Sequence, residues 1–174
     1  MKAGRAVLGA LAVTTAVLAG AGVSVASAMG DGAGRKESGH FATLPLGVVA
    51  GLDLQGVVHV VRGGASTSVE LHLNGLEPGV TYAAHLHNAP CTLNLGGGHY
   101  KYDPAGVGAP PNELWASSSS DPRAGITANP GGVAHGSGSA EWVAGPEAQA
   151  VVIHAIPPGG TTAGGPKIAC ADLG

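Results

Sequence analysis

Aromatic and charged side chains are scarce in this chain, at 3% and 11% of its 174 residues. One phenylalanine, two tryptophans and three tyrosines leave little surface for stacking on bases. The eight lysines and arginines form no basic patch and are outnumbered by eleven acidic residues. Nucleic acid is therefore excluded as a partner. Cysteine is limited to Cys91 and Cys170. Beyond the first 28 residues there is no convincing helical periodicity and no internal repeat, which argues against an α-rich or solenoid architecture. Short Val/Leu/Thr-rich runs broken by glycine, asparagine or proline are what the chain has instead, together with eight histidines.

The longest apolar run lies at the start. Lys2 and Arg5 precede an uncharged stretch from about Val7 to Val25, which ends in Ala26-Ser27-Ala28. Basic end, apolar middle and small-x-small close make a secretory signal peptide over residues 1–28, cut after Ala28. An uncleaved membrane anchor is the alternative, because the run approaches spanning length. Cleavage would leave about 146 residues with a formal charge of −5, secreted and free of the membrane, and a length that fits one domain with one core. In an oxidising compartment the two cysteines read as one disulfide, worth roughly 2–5 kcal/mol. Residues 29–39 are small and polar and read as a flexible linker. Nothing in the chain fixes an oligomeric state.

From residue 40 onward the expectation is all-β, with several short strands separated by turns as in a sandwich or Greek-key barrel. Ser68-Val69-Glu70-Leu71-His72-Leu73 alternates strictly, which turns Glu70 and His72 to solvent. Residues 126–145 suggest a hairpin around Asn129-Pro130-Gly131-Gly132. His154 sits in an apolar strand pattern, and Cys170 in a short terminal one. Residues 88–112 form a long irregular segment, rich in proline and glycine, and segments of that kind are commonly functional.

The chemistry concentrates in Thr81–Tyr102. His85 and His87, two apart on a strand, point to the same face. His99 follows a triple glycine that lets the backbone fold back. A set of imidazoles suits copper, zinc, iron or nickel over calcium or magnesium. His59 reads as structural. His40, near the linker, and His135, in a glycine-rich stretch, receive no role.

In order along residues 48–173, GVVHVV, NGLEPG, HLHNAPC, GGGHYKYDP, ITANPGGVA, VVIHA and KIAC together resemble the copper/zinc superoxide dismutase family. The resemblance implies a Greek-key β-barrel of immunoglobulin-like, superoxide dismutase type over residues 40–174. It implies copper held by His85, His87 and His154, with His99 in the place of the histidine that bridges copper and zinc. It implies a Cys91–Cys170 disulfide tying the loop to the barrel. Lys167 falls where the family has an arginine beside the copper mouth; lysine keeps the charge and loses the forked hydrogen bonding.

The departures are as specific. Between His99 and Ile126 there is no histidine, and Asp103 and Asp121 alone do not make a four-ligand zinc site. No zinc is expected. The segment from Ala155 to Pro166 is short and has no acidic residue, unlike the family's anion-guiding loop. The pattern resembles the copper-only branch of the family. Glu113 is a candidate to orient His99 by accepting its N–H, or else a solvated loop glutamate. The implied function is an exported, antioxidant oxidoreductase with superoxide as substrate, His99 and Lys167 serving proton delivery and anion attraction. The alternative is a non-catalytic copper-binding or structural module on the same fold.

Overall fold

A computed structural model describes residues 34–174. The proposed signal peptide and residues 29–33 of the expected linker lie outside that range. Among the described residues nine strands make one antiparallel sheet: β1 (Arg35–Thr43), β2 (Gln55–Gly63), β3 (Ser66–Asn74), β4 (Thr81–His87), β5 (Trp115–Ala116), β6 (Ile126–Thr127), β7 (Ala134–Ala140), β8 (Ala150–Ala155) and β9 (Lys167–Asp172). Their order is β5-β4-β8-β9-β1-β2-β3-β7, with β6 also paired to β4. A bridge between Ser117 and Ser137 joins the two ends of that order. The sheet thus curls into a nearly closed barrel, with the non-sequential neighbours expected of a Greek key.

The alternation read in β3 is present. Val69, Leu71 and Leu73 are buried while Glu70 and His72 are exposed. Residues directly opposite on neighbouring strands share a face, so the inward set continues through Val58 and Val60 on β2. Tyr82, Ala84 and Leu86 of β4 and Val151 and Ile153 of β8 complete the same core. β4 and β8 are buried on their outer face as well. Loops cover that face, and the histidines sit beneath them.

Three local expectations differ from what the chain does. The polar stretch read as linker through Gly39 is strand from Arg35 onward, registered on β2 from Arg35↔Arg62 to Phe41↔Gly56. Its inward position at Glu37 is filled by an ion pair, with Arg62 Nη2 2.6 Å from Glu37 Oε2 and both side chains buried. A buried pair replaces the apolar residue that would have signalled the strand. A five-residue helix, α1 (Pro45–Val49), follows β1 where no helix was expected, with proline in its first turn, a position where its missing N–H is no loss. A single 3₁₀ turn occupies Pro122–Ala124. Finally, the turn at Asn129–Gly132 exists, closed by Gly132 N–H to Asn129 O and Asn129 N–H to Val133 O. Its flanking strands do not form a hairpin: β6 pairs with β4 and β7 with β3. The turn carries the chain from one half of the barrel to the other.

Candidate metal centre

His85 and His87 project from the outer face of β4, opposite Val152 and Ala150 of β8. His154 stands on the same face of β8, diagonal to His85, because its own partner on β4 is Ala83. The fourth imidazole arrives from the long segment. Gly96 and Gly97 adopt φ of 93° and 69°, a region that side chains other than glycine's rarely enter. An added Cβ at Gly96 would come within 2.7 Å of Val152 Cγ2, and at Gly97 within 2.6 Å of Asn88 Oδ1. The chain then returns to β4, with Asn88 N–H donating to Gly98 O and Tyr100 N–H to Leu86 O. This pairing sets His99 opposite His87.

The four rings converge. His85, His87, His99 and His154 each offer one nitrogen, and these atoms lie within 4.8 Å of one another. Ring centroids are 4.2 Å apart for His85 and His99 and 5.2 Å for His87 and His154. His87 Nε2 and His154 Nε2 face each other at 3.1 Å. The opposite nitrogen of every ring is engaged elsewhere. His85 Nε2 lies 2.6 Å from Thr162 O, His87 Nδ1 3.3 Å from Gly97 O, and His154 Nδ1 2.9 Å from Gly165 O. His99 Nδ1 lies 2.9 Å from Glu113 Oε2. An N–H donated to each of these acceptors fixes the tautomer and leaves a lone pair on the inward nitrogen. At His85 that nitrogen, Nδ1, is buried with no hydrogen-bond partner. Four inward lone pairs, one of them a buried orphan, fit a metal cation.

Electrostatics agree with neutral rings. Burial, reinforced by neighbouring imidazoles, pushes His85 and His87 down to about 2, and burial pushes His154 down to about 4. The desolvation penalty for imidazolium is the physical cause. His99 alone of the four keeps appreciable exposure, 20% of its side chain, so it marks the open side of the centre.

Two further groups flank the rings. Glu113 is not a solvated loop residue: its side chain is 3% exposed, and Oε2 accepts from both His99 Nδ1 and Trp115 Nε1 at 2.9 and 2.7 Å. Lys167 opens β9 opposite His154, and its ammonium donates to Asn94 O and Gly97 O at 3.0 and 2.5 Å. Partial burial lowers the Lys167 pKa. Cys91 and Cys170 are joined by a disulfide, which ties the segment bearing His99 to β9. His40, His59, His72 and His135 take no part in the cluster; all four are exposed.

Sequence reading missed the carbonyls of Gly97, Thr162 and Gly165, and the ring of Trp115 packed 4.7 Å from His85. Backbone acceptors carry no side-chain signature, so only the glycine-rich character of both loops pointed toward them. Among the described residues no helix is long and apolar enough to cross a membrane. Comparison with protein-family models and with curated proteins finds no match to this chain.

Proposed function

We propose that the chain is an exported, copper-dependent superoxide dismutase working without a neighbouring zinc. The observation that carries this reading is the set of four imidazoles, each anchored at one nitrogen and free at the other, with a lysine ammonium beside them. An all-nitrogen donor set favours copper among the divalent ions. Glu113 on His99 Nδ1 supports the copper-only form, since it occupies the nitrogen that a second metal would need.

When bound, copper supplies the one-electron couple by which one superoxide leaves as dioxygen and a second, taking two protons, leaves as hydrogen peroxide. His85, His87 and His154 are the permanent holders, fixed by strands β4 and β8 and by their rear carbonyls. His99 is partly exposed and backed by a carboxylate. It is the ring suited to take a proton at Nε2 and pass it to the departing peroxide. Lys167 draws the anion toward the open side, against the formal charge of −5 of the cleaved chain that repels it at longer range.

The test is superoxide decay by pulse radiolysis across a salt series, with copper content measured for each protein. Wild type is expected to hold one copper and to catalyse decay. His85→Ala is expected to lose metal and activity together. Lys167→Glu is expected to keep the metal and lose rate, most at low ionic strength where screening is weakest. A fully copper-loaded wild type that leaves superoxide decay unchanged would reject the enzyme and favour a non-catalytic copper-binding module.

A further inference from the structure

The four histidines outside the buried cluster all lie on one surface, the outer face of β1-β2-β3-β7. Register places His40 opposite Val57, Val57 opposite His72, and His72 opposite His135, in one row across four strands. In the adjacent row His59 faces Glu70, and Glu70 faces Ser137. His59, Glu70, His72 and His135 are all exposed.

Within this face one pair is already in contact. The His72 and His135 rings meet edge-on, with centroids 4.5 Å apart and planes at 83°. Their Nδ1 atoms point at each other, 2.5 Å apart. On the far side of His72, Glu70 Oε1 lies 3.4 Å from Nε2. A carboxylate there favours the tautomer with hydrogen on Nε2, which leaves the Nδ1 lone pair aimed at His135. A carboxylate behind an imidazole whose other nitrogen is free is the arrangement that orients metal-bound histidine. Two imidazole nitrogens binding one ion at about 2.0–2.1 Å stand about 3.3 Å apart at a tetrahedral centre and about 2.9 Å apart in the cis positions of a square-planar or octahedral one. Reaching either spacing from 2.5 Å requires only a small rotation of two exposed side chains.

The geometry points to a second metal site on the outside of the barrel: His72 and His135 bind a divalent transition-metal ion such as Ni²⁺, Zn²⁺ or Cu²⁺ through both Nδ1 atoms, with Glu70 as the positioning residue. Water fills the remaining positions, since the pair is open to solvent. This site is independent of the buried cluster and of the dismutase reading. The competing arrangement is a hydrogen bond from one imidazole to the other that does no more than link β3 to β7.

The two are separated by titrating Ni²⁺ into the ¹⁵N-labelled full chain and following paramagnetic broadening residue by residue. Broadening is expected at the amides of residues 71–73 and 134–136. It should vanish in His72→Gln and in His135→Gln, and its midpoint should weaken about tenfold in Glu70→Gln. Amides of β4 and β8 report the buried cluster in the same spectra, so failure at one site is distinguishable from failure at the other. Absence of broadening on β3 and β7, or its persistence in the His72→Gln/His135→Gln double variant, would overturn the proposal. All three positions are exposed, and the diamagnetic spectrum of each variant verifies its fold.

Discussion

Glu113 holds two donors with a single oxygen, the buried Trp115 Nε1 and the part-buried His99 Nδ1. Removing the carboxylate in Glu113→Ala leaves His99 Nδ1 and Trp115 Nε1 without it, and a buried donor left unpaired costs about 1–3 kcal/mol. Urea unfolding of the metal-free protein should show a loss of that size. Glu113→Gln keeps an acceptor and should stay close to wild type in stability; under the proposed dismutase reading it should slow superoxide turnover about tenfold, because an amide orients His99 less firmly than a carboxylate. Equal turnover in Glu113→Gln and wild type would deny the carboxylate any part beyond packing. This residue also shows where sequence reading stops. His85 and His87 announce themselves by their spacing on a strand, whereas Glu113, fourteen residues from the ring it serves, could be read either as its partner or as a solvated loop residue, and the fold decides for the partner. The carbonyls of Gly97, Thr162 and Gly165 are less legible still, since every residue has one.

Among the elements, the strands with alternating or continuous apolar residues were legible, and those whose logic is polar were not. β3 could be read from its pattern. β1 could not, because Glu37 answers Arg62 on the neighbouring strand β2. The turn at Asn129–Gly132 was visible from its residues, but the partners of the strands on either side depend on the whole topology. The loop carrying His99 is pinned by Cys91–Cys170, across 79 residues of sequence. Opening a crosslink of that span stabilises the unfolded chain by about 4.5 kcal/mol in the chain-entropy account. A Cys91→Ser/Cys170→Ser variant should therefore unfold at markedly lower urea. Once loaded with copper, as the proposed function requires, it should also give up the metal to a competing chelator sooner than wild type, as His99 loses its tether. Unchanged copper retention in a folded variant would show that the glycine turn and its backbone hydrogen bonds suffice to hold the ring.

Across the whole molecule, three histidines are buried in the uncharged state, with burial holding His85 and His87 near 2 and His154 near 4. An unfolded chain binds protons at these rings near 6.5, so below that pH it takes up protons that the folded chain refuses. Folding stability of the metal-free protein is thus full above about pH 6.5 and falls as pH drops toward 4. The slope should be on the order of 1 kcal/mol or more per pH unit. Urea midpoints at pH 7.5, 6 and 5 measure it; a His154→Gln variant should show a shallower fall, and a flat wild-type profile would contradict neutral burial of the rings.

β1 joins β2 through its first seven residues and β9 through Ala42 and Thr43. β9 comes after the other described strands, and it carries Cys170, the partner of Cys91. His154 lies only one strand earlier. A nascent chain therefore exposes His85 and His87 long before the residues that complete their surroundings exist. The crosslink and the β1–β9 and β8–β9 pairings exist only after translation has passed β9, so the four imidazoles gain their complete surroundings, and a metal its intact site, only from then on.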